Sequence, residues 1–330
     1  MQLPNLKYPG IAILAILVVL SLWMDASAQA GAAQGKDAAG PWTVSLETKY
    51  FFQSHTSYEF GNPFPPYQTP LSRLEFPLNS WWAGVSLRRE FSRFSAGVAV
   101  FSNLSGEAEG KMTDSDWDDE ERPALKTIYS DSSCRMEQSY IVSGDVDLKI
   151  ADWLGLPKWL DLRPAAGLTW QRFSLVTHDG VQYNLTSEGI TTTPLPGDGI
   201  AFRQTYWQFF VGFKTLFDLG KPLRLAGLKI ETQLDWAYVA GDNEDHHLLR
   251  AGNRLTQENT TGEAWHALVN LKIGLTSNLN ATLGAEYRRI ATTGSHRLVN
   301  ETFGVDFKFY HGVKMWSEQT NITMGLEYTF

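Results

Sequence analysis

The sequence predicts an all-β fold: a transmembrane, up-and-down antiparallel β-barrel of about ten strands with long extracellular loops. Three observations carry this. Apolar and polar residues alternate with period two along most of the chain. The gaps between alternating segments switch strictly between short and long. The chain also begins with an export-type apolar run and ends on an aromatic residue, Phe330.

The apolar run is Ile11–Met24. It is too short for a comfortable membrane helix, which needs about 20 residues. Lys7 precedes it, and Ala28-Gln29-Ala30 follows as a small-x-small cleavage pattern. Residues 1–30 are therefore expected to be a signal peptide and 31–330 the barrel. Removing the peptide takes away one Lys and one Asp, so the charge of −8 is unchanged at 27 basic and 35 acidic residues. Residues 31–40 are small and polar and read as a leader.

The first strand begins at Trp42. Trp42, Val44, Leu46, Tyr50 and Phe52 alternate with Thr43, Ser45, Glu47 and Lys49. The same pattern recurs over 94–104, 140–150, 228–238, 265–275 and 322–330, and less cleanly over 73–88, 160–176, 201–215 and 281–289. Several of these segments have the length of a tilted strand crossing a bilayer, about 9–11 residues. The polar stripe carries full charges, as in Lys229, Glu231, Gln233 and Asp235. A soluble sandwich and a membrane barrel share that alternation. The connections separate them: short turns at 90–93, 152–157, 218–222 and 277–280, and long ones at 53–70, 105–135, 177–199, 241–263 and 290–313. Tight turns at one end and long loops at the other are the pattern of outer-membrane barrels. The last strand, ending Ile322, Met324, Leu326, Tyr328, Phe330 on one face, resembles the signal read by the barrel assembly machinery.

Composition narrows the function classes. A net charge of −8 lacks the basic field of a nucleic-acid binder. The single cysteine, Cys134, excludes an intramolecular disulfide and a multi-Cys zinc site. A mean hydropathy of −0.23 excludes a helical membrane protein. Neither a cofactor nor a metal is expected.

Two of the long connections carry candidate chemistry. Lys111–Glu121 reads KMTDSDWDDEE, with six carboxylates in eight residues from Asp114. Such a loop is commonly just solvated. However, Asp114 and Asp116 are i, i+2, so an extended backbone puts both on one face, where they can share a proton and hold a water. Gly241–Arg250 reads GDNEDHHLLR. Its two His and three acids need no catalytic role, but Asp245 and His247 are also i, i+2, and an Asp beside a His orients it as a base. The inward residues of this strand, 229 to 235, are odd-numbered. An unbulged continuation turns Asp245 and His247 inward and Glu244 and His246 outward. The remaining histidines, 55, 178, 266, 296 and 311, read as structural or incidental.

Together, KMTDSDWDD, GDNEDHHLLR and the ending GLEYTF (Gly325–Phe330) resemble the omptin family of outer-membrane proteases. The resemblance covers most of the mature chain. It implies peptide-bond hydrolysis by an activated water, without an acyl-enzyme. Carried over, Asp114 and Asp116 position that water with His247, and Asp245 orients His247. A one-residue shift of register would assign those last roles to His246 and Glu244. Members that favour basic substrates carry acids where this register has His55 and Asn243, so Asp242 and Glu244 are the remaining candidates for attracting a cationic peptide. The family also binds lipopolysaccharide through basic residues on the barrel wall, which Arg172 and Arg203 would match. The expected partners are a peptide or protein substrate, outer-membrane lipid with lipopolysaccharide, and the barrel assembly machinery. The competing class is an omptin-like barrel without proteolysis: a small pore, an adhesin or a structural surface protein. A large diffusion pore is disfavoured, because ten strands leave a narrow lumen.

Overall fold

The computed structural model describes residues 40–62, 68–220, 227–252 and 254–330. The expected cleavage site after Ala30 lies outside them. Thirteen strands form one antiparallel sheet closed on itself. They are β1 (Trp42–Phe60), β2 (Ser72–Pro77), β3 (Ser80–Glu90), β4 (Phe94–Asn103), β5 (Glu107–Asp116), β6 (Ile128–Met136), β7 (Tyr140–Leu148), β8 (Leu160–Thr186), β9 (Gly189–Asp218), β10 (Leu228–His247), β11 (Arg254–Gly274), β12 (Leu279–Asn300) and β13 (Val305–Thr329). β2 and β3 are the upper and lower parts of one wall position, as are β5 and β4, and β6 and β7. At either level ten strands therefore run around the ring, which closes where β1 pairs with β13. Trp42 and Phe330 exchange both backbone hydrogen bonds at that seam, at 3.0 and 2.9 Å. Closure removes the free edges that lipid does not tolerate.

The alternation that predicted the strands also sorts the two surfaces. Leu46, Val98, Phe213, Leu234, Trp265, Val269, Met324 and Leu326 are exposed and form an apolar outer band. The lower interior is charged and paired. Arg88 bridges Asp145 and Asp147 at 2.7 Å each, Lys214 reaches the same two carboxylates, and Arg163 joins Asp147 to Glu90 and Asp161. Lys272 holds Glu231 and Glu327 at 3.0 and 2.9 Å. Higher up, His266 lies between Asp235 and Glu286, and Arg288 contacts Glu286. A cavity of about 170 Å³ remains among these mid-barrel groups.

The long connections differ from the expectation in their conformation. Most of their length is strand. β8 with β9, β10 with β11, and β12 with β13 continue upward as paired hairpins, and 105–135 contains β5 and β6. Their alternation is muted in sequence because both faces meet water above the bilayer, so no apolar stripe is required. β1 carries a further departure. A bulge between Phe52 and His55, with Gln53 at φ 48°, shifts the inward face from odd to even residues. Thr56 and Tyr58 then point inward and His55 outward.

Candidate active site

Above the lipid band the ring separates into two walls. β10 ends at His247 while β9 continues up to Gly189, and β1 ends at Phe60 while β13 continues up to Val305. One wall holds β1, β2, β5, β6, β8 and β9, and the other β10 to β13. Asp114 and Asp116 project from the first, and Asp245 and His247 from the second.

Asp114 and Asp116 reach the inner surface because β5 is paired between β2 and β6. Asp114 lies opposite Leu74 and Ser130, and Asp116 opposite Ser72 and Ile128. Leu74 is buried, and the next inward residue of β2, Phe76, stacks on Phe202 of β9 at 4.1 Å. A bulge between Ala108 and Met112 sets the face on which these carboxylates emerge.

β10 pairs with β9 and β11 without a register shift from its lower end to His247. Its period of two therefore runs unbroken from Asp235 in the lumen to the rim. Asp245 is 0% exposed and His247 is buried, whereas Asp242 is exposed and Glu244 and His246 are half-buried. His247 Nε2 lies 3.0 Å from Asp245 Oδ2. The two atoms are in contact but not aligned as a hydrogen bond, and both Asp245 oxygens and Asp114 Oδ1 are buried without a hydrogen-bond donor among the described residues. Buried polar atoms are normally satisfied, and exceptions gather where a ligand or water completes the shell.

Electrostatics joins the two walls. Burial, reinforced by the charges of Asp116 and Asp245, pushes the Asp114 carboxyl up to about 7, against the opposing pull of His247 and Arg250. A carboxyl poised to titrate near neutrality beside a second carboxylate can share a proton with it and, once ionised, hold a water as a charged acceptor.

A polar layer beneath Asp245 escaped the reading of the sequence. Asn243 Nδ2 donates to Glu258 Oε2 at 2.8 Å, and Glu258 Oε1 lies 2.7 Å from His296 Nδ1. The Tyr58 hydroxyl approaches the same nitrogen at 3.3 Å. Burial raises the Glu258 carboxyl and holds the Tyr58 phenol well above its ordinary value. Parity could have found Glu258, because the inward residues of β11, His266, Asn270 and Lys272, are all even-numbered. Arg250, four residues past His246 in a loop tip, had no comparable signal.

The other candidate residues gather elsewhere. Arg203 Nη2 pairs with Glu244 Oε1 at 2.9 Å, and Arg172 and Asp242 belong to the same charge cluster. These four occupy the outer face of β8, β9 and β10. Asp242 and Glu244 are thus one strand face away from Asp245 and His247 and do not line the mouth. Arg172 also lies over the Trp170 ring at 5.7 Å. Among the described residues no group of three or more His, Cys, Asp or Glu could hold a metal ion.

Comparison with known proteins places this architecture. Among solved structures the chain is similar to the outer membrane protease OmpT from Escherichia coli, with a TM-score of 0.79 and 15% identity over 90% of this chain and 99% of that one. It also matches the translocator domain of the autotransporter NalP from Neisseria meningitidis, with a TM-score of 0.34 and 10% identity over 97% and 98% of the two chains. No curated protein sequence matches. The omptin family model matches residues 79–330, which span β5 with its paired aspartates, β10 with Asp245 and His247, and the closing strand. With its ten-strand ring and a match over most of its length, this outer-membrane β-barrel belongs to the omptin family.

Proposed function

We propose that the protein is an endopeptidase that hydrolyses peptide bonds by an activated water at the external mouth of the barrel. The observation that carries this is that Asp114 and Asp116 of one wall and Asp245 and His247 of the other lie within electrostatic reach of one another at the same mouth, with His247 Nε2 3.0 Å from Asp245 Oδ2. In this reading the carboxylates of Asp114 and Asp116 hold a water against His247. The water oxygen attacks the scissile carbonyl carbon as its proton passes to the imidazole. His247 then returns that proton to the leaving amine as the C–N bond breaks, giving a carboxylic acid and an amine. Asp245 orients the ring and stabilises its protonated form. Contacts of this kind commonly tighten into aligned hydrogen bonds when substrate binds.

The same reading takes residues 1–30 as a cleaved signal peptide and the β13 terminus as the handle for barrel assembly. Arg172 and Arg203 are assigned to lipopolysaccharide phosphate on the outer wall. The pore alternative is opposed by the layer of Arg88, Arg163 and Lys214 salt bridges across the lower lumen. The test is to refold the mature chain in micelles with and without lipopolysaccharide and profile cleavage of a random peptide library. Cleavage supports the reading. A folded barrel that cleaves nothing in either preparation overturns it.

A further inference from the structure

The inner face of the second wall is ruled into rows by its register. One row runs Asp245–Thr256–Leu298–Phe307 across β10, β11, β12 and β13. The row below runs Asn243–Glu258–His296–Phe309. Residues directly opposite in antiparallel strands share a face. Leu298 and Phe307 therefore look into the same mouth as Asp245. Phe60 of the first wall closes this end, stacked on His296 at 5.0 Å, with Phe309 on His296 at 6.0 Å.

Phe307 is 58% exposed although it faces inward. The opposite face of the same hairpin is charged, with Arg297 paired to Asp306 at 2.9 and 2.8 Å. Lipid does not account for the apolar side. Leu298 lies eleven residues beyond Tyr287, the exposed aromatic of β12 in the lipid band. At about 3.3 Å per residue that is about 36 Å along the strand, well clear of the membrane. An apolar face held toward a polar mouth and left open marks a ligand contact.

Resting on the endopeptidase reading, we infer that Leu298, Phe307 and Phe60 form a specificity subsite that takes an apolar side chain of an extended peptide substrate. The occupant is set by continuity: the subsite continues the row that begins at Asp245, with nothing but the Thr256 position between. Strands lie about 4.8 Å apart, so Leu298 is about 10 Å and Phe307 about 14 Å from the Asp245 position. A peptide laid across the strands advances about 3.3 Å per residue. The preferred apolar residue therefore stands three to four positions from the scissile bond, on one side only.

The experiment uses the mature barrel in lipopolysaccharide micelles, with folding checked by heat-modifiable gel mobility. Two pairs of twelve-residue peptides differ by Leu or Ser at the third or at the fourth position from the cleaved bond. The wild type should cleave the Leu peptide of one pair about tenfold faster in kcat/KM, the scale of one apolar contact in a pocket. Phe307→Ser and Leu298→Ser should each erase most of that ratio. Binding of the same labelled peptides to the inert His247→Ala barrel is read in parallel by fluorescence anisotropy. Leu-dependent binding that Phe307→Ser abolishes, without cleavage by wild type, supports the subsite and removes the proteolytic reading. Cleavage with no preference at the third or fourth position, or a preference indifferent to both variants, overturns the subsite and leaves the proteolytic reading standing. Neither binding nor cleavage overturns both.

Discussion

The lower and upper halves of the barrel interior both bury charge, and they treat it in opposite ways. In the lower half every carboxylate named above has a cation on it: Asp145 and Asp147 share Arg88 and Lys214, and Glu231 and Glu327 share Lys272. At the mouth, Asp114 Oδ1 and both oxygens of Asp245 are buried without an aligned donor among the described residues. Sealing an ionised group without a partner is costly, which is why buried charges are paired where the requirement is only to fold. The lower half follows the rule of stability. Asp114 and Asp245 at the mouth depart from it, and such departures collect where chemistry is done.

The strongest way to break this contrast is at His247. His247→Ala should lower kcat by about 10²–10⁴, the usual worth of a general base, while barrel assembly is unaffected. His246, on the other face of β10, should tolerate Ala with most activity kept. Initial rates on one peptide check both. A reversed outcome, with His246 essential, would mean that the mouth is served by the outward residues and that the register argument fails.

Asp114 gives a smaller loss of activity and a gain elsewhere. Its carboxyl is raised from an ordinary 3.8 to about 7. The folded protein therefore keeps a proton that the unfolded chain gives up near pH 4. The stability this contributes is full below pH 4, declines between pH 4 and 7, and is lost above. Asn at this position does not titrate. Asp114→Asn should melt higher than wild type at pH 8, with the difference shrinking toward pH 4.5, and should lose about 10²-fold in kcat because the water loses a charged acceptor. In the wild type, cleavage should fall as the pH drops through about 7, where Asp114 takes up its proton and ceases to be a charged acceptor. Thermal melts in micelles and a pH–rate profile report the two effects separately.

How much of this was legible in sequence follows from what period two can encode. Where lipid stands on one side, as along Leu228–Tyr238, the alternation is strong and the strand reads directly. It also reads on into the mouth, because β10 has no bulge, so Asp245 and His247 share the parity of Asp235. Where water stands on both sides, as in the upper parts of β8, β9, β12 and β13, neither face must be apolar and the strands pass for loops. Bulges are invisible as well. The one at Gln53 turns His55 outward and brings Tyr58 in, which no count from Trp42 could foresee. The neighbourhood of Glu258, Asn243 and His296 needs three strands in register at once, and the sequence supplied those strands only in part.

The smallest effect on cleavage should come from the lower half, and there the contrast is sharpened. Arg88 holds Asp145 and Asp147 at 2.7 Å, deep below the mouth. Arg88→Ala leaves a carboxylate pair short of a cation. Breaking a buried pair from one side costs about 3–5 kcal/mol. Lys214 still reaches both carboxylates and Arg163 reaches Asp147, so about 3 kcal/mol is expected, seen as a lower denaturant midpoint in micelles. Adding Asp145→Asn removes the excess negative charge and should recover part of that loss. Neither variant should change kcat or KM, because the paired layer makes no contact with the mouth. A fall in kcat with the midpoint preserved would instead mean that the lower charges tune the upper ones, and the two halves would have to be treated as one electrostatic unit.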